Sequence, residues 1–266
     1  MNPYKTHGAF SWSELMTTDP EAAREYYSSV FPWTFSEMEM GDDGVYHVAA
    51  VGGKPVGGIM KRPNEHIPVH WGYYITVQDV DETVARLKDL GGTVVMEPFD
   101  APGVGRMCPV ADPQGAHFSV IAYENTDQER HARSVVDAFT QEGAFSWFEL
   151  HVPDAKAAED FYRELFGWTI DWQEMPHGPY GVVKIGDVSI AGIVSSPMEN
   201  APPHWASYVT VTDFEAHAGR VADAGGQALM DAITVPTVGT FAYVADPQGA
   251  VLAGIQYEPM PEQQES

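Results

Sequence analysis

The sequence predicts an α+β protein of two tandem domains, each a pair of βαβββ modules whose strands form a curled mixed sheet around a cleft. Three observations predict it. Residues 8–33, GAFSWSELMTTDPEAAREYYSSVFPW, return as residues 143–168, GAFSWFELHVPDAKAAEDFYRELFGW, at an offset of 135, and self-similarity of that length divides a chain into like units. Within each half the order strand, helix, short strands occurs twice. Each half then closes on the same turn, Asp-Pro-Gln-Gly, at 112–115 and 246–249. The 266 residues suffice for two ordinary cores. The expected boundaries are 1–124 for the first domain and 142–259 for the second, with a linker over 125–141 and a disordered tail over 260–266.

The elements follow in order. Residues 9–17 alternate as a strand, and Asp19 then caps a helix whose first turn holds Pro20, where a missing N–H costs nothing. Ala23, Tyr26 or Tyr27, Val30 and Phe31 fall at helical spacing in it. Short β-like stretches follow at 34–39, 45–51 and 55–60, the last two joined by Gly52-Gly53. From Val69 the order restarts with a strand over 69–77 and a helix from Asp79 to Leu90, stopped by Gly91-Gly92. Strands at 93–97, 105–111 and 116–122 complete the half, the last pair joined by the Asp-Pro-Gln-Gly turn. The second half repeats this at an offset of 134, one residue having dropped out between Trp168 and Tyr180. The linker is charged at first and reads as helical from Ala132 to Phe139. Whether modules pair within a half or across the halves is left open at this level.

Composition narrows the partners. With 14 Lys+Arg against 38 Asp+Glu the formal net charge is −24, which opposes nucleic acid and anionic membrane alike, because phosphate binding needs a basic face. No apolar run approaches the roughly 18 residues of a membrane span, and no signal-peptide pattern opens the chain. The single cysteine, Cys108, has no internal partner, aligns with Ala242 and reads as a small buried filler. The expectation is a cytoplasmic protein, monomer or homodimer, whose partner is a small molecule. No P-loop, dinucleotide glycine motif, CxxC or G-x-S-x-G offers other chemistry.

W-x-E-L opening the first strand, the D-P/A-x-x-A-x-x-F/Y-Y helix, P-G-V-G-R at 102–106, Pro203-His204-Trp205 and the closing D-P-Q-G together resemble the vicinal-oxygen-chelate superfamily. That superfamily includes glyoxalase I, bleomycin-resistance proteins and extradiol dioxygenases; more narrowly, the chain is similar to tandem glyoxalase-like proteins. For an active member the resemblance implies a divalent metal inside a cupped sheet, held by His and Glu, with open positions for two substrate oxygens. Fe, Mn, Ni or Zn suits such ligands. Carried onto this chain, the ligand positions fall on Trp12, Gly57 to Ile59, Gly72 and Ser119, and on Trp147, Ala191 to Ile193, Ala206 and Ala253. None can ligate in the family manner.

The expectation is therefore no cofactor and a metal-independent binding or sequestering protein. One alternative is a lyase, isomerase or dioxygenase with one divalent ion on a displaced set of Glu14, His70 and His117, each two positions from an implied ligand. Another is an acid–base enzyme using Glu14 or Glu149 as the catalytic group. Glu14 and Glu149 recur between the halves and are neither caps nor turn formers, so each is either a ligand contact or one half of a buried hydrogen-bonded pair. His70 and His204 are the histidines that share a position, and could equally anchor a strand entrance. Trp12, Trp71, Trp147 and Trp205 are candidate ligand shelves or core. Arg106, replaced by Thr240, and His117, replaced by Val251, mark the first half as the richer site; Arg106 would grip an anionic or oxygen-rich ligand.

Overall fold

The computed structural model describes residues 1–41, 44–124, 135–175, 178–196 and 201–259. The first half runs β1 (Phe10–Thr17), α1 (Pro20–Val30), β2 (Thr34–Glu39), β3 (Val45–Val51), β4 (Lys54–Lys61), β5 (His70–Thr76), α2 (Val80–Asp89), β6 (Thr93–Val94), β7 (Phe99–Ala101), β8 (Gly105–Ala111) and β9 (His117–Tyr123). A short helix α3 (Val135–Thr140) precedes the second half. That half runs β10 (Phe145–Val152), α4 (Ala155–Phe166), β11 (Thr169–Met175), β12 (Gly178–Ile185), β13 (Val188–Ser195), β14 (His204–Thr210), α5 (Phe214–Asp223), β15 (Gln227–Ala228), β16 (Ile233–Val235), β17 (Gly239–Ala245) and β18 (Val251–Tyr257). The expected linker helix is present in its later part; residues 125–134 and the expected disordered tail at 260–266 lie outside the described residues. The short strands β7 and β16, each hydrogen-bonded to the strand after it, were not expected.

Each half is a pair of modules in one curled mixed sheet of nine strands, eight of them ordered β2-β3-β4-β1-β5-β9-β8-β6 and β11-β12-β13-β10-β14-β18-β17-β15, with β7 beside β8 and β16 beside β17 as the ninth. The modules therefore pair within a half, through antiparallel β1 against β5 and β10 against β14. Within a module the first and last strands run parallel, β1 with β4 and β5 with β9. Helices begin where a carboxylate can satisfy an otherwise unpaired N–H: Asp19, Asp79, Asp154 and Asp213 each accept from the third residue onward, Ala22, Glu82, Ala157 and Ala216.

Strand side chains alternate faces. One face of each sheet, carrying Leu15, Ile59, Ile75 and Val120 in the first half, packs on the helices. A single buried cluster of such residues from both halves forms the core. A register shift between Phe10 and Trp12 turns Phe10 into this core, where it stacks on Phe148 at 4.1 Å. The same shift recurs between Phe145 and Trp147. Such irregularities re-aim side chains, and here they leave Trp12 and Glu14, like Trp147 and Glu149, on the face turned away from α1, α2, α4 and α5, with α3 resting beside Trp147 through Phe139. We call that face the cup.

The halves clasp each other reciprocally. Tyr27 donates to Asp246 and Tyr162 to Asp112, both at 3.1 Å. Gln248 bonds the start of α1 at Asp19, as Gln114 bonds the start of α4 at Asp154. Trp33 donates to the Gly143 carbonyl and Trp168 to that of Gly8. Gly8 and Gly143 both have φ of +81°, and a Cβ there would lie 2.6 and 3.0 Å from the opposing indole nitrogen, so the repeated GAFSW segment needs its glycine on both counts.

Candidate functional site

In the first cup Glu14 is 6 % exposed and takes hydrogen bonds from Tyr46 at 2.9 Å and Tyr74 at 2.8 Å, while Trp12 Nε1 donates to the Tyr46 hydroxyl at 2.8 Å. Register explains the meeting: Glu14 lies opposite Gly58 and Gly72, and the Tyr46 ring lies over Gly58, where a Cβ would be 1.9 Å from its hydroxyl. The glycines make room for phenols. Burial raises the Glu14 carboxyl above its ordinary value, and the hydrogen bonds from Tyr74 and Tyr46 oppose this without cancelling it.

The second cup repeats the frame and adds to it. Glu149 Oε2 takes Tyr180 at 2.8 Å, whose hydroxyl accepts from Trp147 Nε1 at 2.9 Å. Glu149 Oε1 takes Tyr208 at 2.9 Å and lies 2.9 Å from His151 Nε2, with Tyr243 at 3.3 Å. His151 replaces Met16 and Tyr243 replaces Pro109. His204 stacks on His151 with ring centroids 5.0 Å apart. Burial again pushes the carboxyl up, but the hydrogen bond and charge of His151, with the phenols, bring Glu149 below its ordinary value. The proton affinities of the two glutamates are shifted in opposite directions on one scaffold, and their neighbours make the difference.

Other expected site residues fall elsewhere. Trp71 and Trp205 follow a cup-facing histidine and so point to the opposite face; both are buried in the core and donate to Tyr27 at 3.0 Å and Tyr162 at 3.1 Å. Arg106 lies on the helix side of β8, where Asp81 of α2 takes two hydrogen bonds from it at 2.8 Å and Asp100 a third at 3.1 Å. It is an ion-paired guanidinium outside the cup. His70 and His204 face their cups, with Nδ1 against the Pro68 and Pro202 carbonyls at 2.8 and 2.9 Å, which anchors the strand entrance. Desolvation by the surrounding protein lowers the proton affinity of both, His70 half-buried and His204 at the rim with its outer side open to solvent. His117 is exposed at the start of β9. Cys108 is fully buried, and burial pushes its thiol up to about 11, as suits a filler. The cup tyrosines and His151 were not among the expected residues. Tyr46 with Tyr180 and Tyr74 with Tyr208 recur between the halves as the glutamates do, and that was the available signal.

The family model described as the Glyoxalase/Bleomycin resistance protein/Dioxygenase superfamily matches residues 9–120 and 144–253. The chain belongs to that superfamily. It is 35 % identical over 261 residues to CFP32 of Mycobacterium tuberculosis (strain CDC 1551 / Oshkosh), described as a "Putative glyoxylase", with 96 % of this chain and 97 % of that protein covered. It is 29 % identical over 258 residues to the anthracycline biosynthesis protein DnrV of Streptomyces peucetius, with 91 % of each covered. Among solved structures, the Mn(II)-bound glyoxalase from Novosphingobium aromaticivorans shares the fold, with a TM-score of 0.64 at 16 % identity over 94 % of this chain and 82 % of that one.

Two findings correct the expectation of no cofactor. A solved relative in fold is Mn(II)-bound. Moreover, Glu21, Glu37 and His47 bring one potential ligand atom each to within 4.8 Å of one another. Among the described residues that is the one such group of three, so Glu14, His70 and His117 do not converge as the displaced set requires. Within the cup, the positions the family uses hold Trp12, Gly58, Gly72 and Ser119, and Glu14 is engaged by phenols; these residues do not fit a metal in the family manner. The triad is carried by one half alone, so likeness between the halves does not reveal it. No helix among the described residues is long and apolar enough to cross a membrane.

Proposed function

We propose that the chain is a cytoplasmic enzyme whose second cup binds a small oxygenated carbonyl compound and moves a proton on the carbon beside the carbonyl. The observation that carries this is His151 Nε2 at 2.9 Å from Glu149. A buried carboxylate bonded to one imidazole nitrogen fixes the tautomer and leaves the other nitrogen, Nδ1, with its lone pair. In that arrangement Glu149 positions and His151 is the general base: Nδ1 takes the proton from the substrate carbon, the electron pair moves toward the carbonyl oxygen, and the proton returns to the adjacent carbon or exchanges with water. His204, stacked on His151 and exposed, borders the path to solvent. The glyoxylase and glyoxalase descriptions of the relatives support the carbonyl class. The first cup, with Met16 in place of His151, retains a binding role.

The hemithioacetal of methylglyoxal in D2O, with and without added Mn(II), is a suitable probe, and the readout is deuterium entering at the carbon beside the carbonyl. We expect His151→Met and Glu149→Gln each to slow exchange by about 10²-fold, the usual contribution of one general base, and Glu14→Gln to leave it unchanged. Exchange at the wild-type rate in both second-cup variants would remove the assignment.

A further inference from the structure

We propose that Glu21, Glu37 and His47 form a divalent-cation site on the helix side of the first sheet, outside both cups. Three elements supply it. Glu21 stands in the first turn of α1, Glu37 on the edge strand β2, and His47 directly across from Glu37 on β3. His47 is 1 % exposed; its Nε2 lies 3.2 Å from Glu21 Oε1 and its Nδ1 lies 4.0 Å from Glu37 Oε1, with no hydrogen-bond partner of its own. A neutral imidazole has one N–H and one lone pair. In that form, whichever ring nitrogen of His47 keeps the lone pair faces a carboxylate, because Nε2 is turned toward Glu21 and Nδ1 toward Glu37. A cation relieves the repulsion, and metal–ligand distances of about 2.1 Å put neighbouring ligands roughly 3 Å apart, close to the spacing already present between Nε2 and Glu21. The other Glu21 oxygen is held by Arg24 at 2.9 Å, which leaves Oε1 for the ion.

The second half shows what the place requires when the ligands are missing. Lys156, Trp172 and Gly181 occupy the corresponding positions, with Trp172 across from Gly181 as Glu37 is from His47. The indole fills the space beside Gly181, where a Cβ would lie 3.1 Å from the ring, and the Lys156 ammonium sits 3.6 Å from the centroid of Trp172. The chain thus supplies its own cation in one half. In the other it supplies one imidazole and two carboxylates, a donor set that suits Zn(II), Mn(II) or Ni(II) and leaves positions for water. The ion would tie the start of α1 to the edge strand β2.

Full-length protein made without a histidine tag and stripped with a chelator can be titrated with Zn(II) or Mn(II) chloride by calorimetry. We expect one equivalent to bind at this site, and His47→Gln and Glu37→Gln each to weaken it by about tenfold or more. Glu14→Gln and Glu149→Gln, in the cups, leave it unchanged. Glu37 is exposed, so its variant keeps the fold, which circular dichroism verifies. Absence of binding to the wild-type chain, or binding that both site variants leave intact, overturns the proposal.

Discussion

Glu14 and Glu149 stand at matching places on matching strands, each buried and each bonded by two corresponding tyrosines, yet burial prevails at Glu14 and is outweighed at Glu149. The difference traces to Met16 against His151, a change that turns one glutamate into a partner for an imidazole. Histidine acts in the opposite sense at His217, which is 1 % exposed and stacked on Phe31 at 5.1 Å. Burial, then the charge of Arg220, lowers its proton affinity to about 4. The folded state therefore binds fewer protons than the unfolded chain between about pH 6.5 and 4, and stability present above that window is lost as pH falls through it, by about 3 kcal/mol. Urea denaturation of the wild type and of His217→Leu should show a stability difference that shifts in favour of the variant from pH 7 to 4. A difference independent of pH would contradict this reading.

At the scale of elements, alternation along a strand decides which conspicuous residue reaches the cup. His70 and Trp71 are neighbours, so only one of them can face it, and the histidine does. Arg106 shows the same logic: Pro109 lies across from Ser119 of the cup face, whereas Arg106, three residues earlier, is on the helix side against Asp81. Arg106→Thr should accordingly leave ligand affinity in the cup unchanged and barely alter stability, since a solvent-screened ion pair contributes little; thermal unfolding and ligand titration test both. Strands, caps and the Asp-Pro-Gln-Gly turn were legible because their signals are local. The partners of Glu14 were not, since Tyr46 and Tyr74 are 32 and 60 residues away and only strand register brings them together. His47 faces Gly181 in the repeat, so likeness between the halves carries no signal for it.

For the whole molecule, the sheets settle that each half completes its own strand order, while the core and the clasp join the halves through corresponding bonds. The turn that looked like a strand connector is also a contact: Asp112 holds its own loop through the amides of Gln114 and Ala116 and accepts Tyr162 from the other half. Each half carries both members of every such pair, the tyrosine and the aspartate, the glutamine and the helix start, the indole and the glycine carbonyl. A surface of that kind recognises its own likeness. The covalent connection then raises local concentration rather than dictating geometry, so a chain severed between the halves should reassemble from its two fragments on mixing, and a permuted chain beginning at the second half should fold to the same molecule.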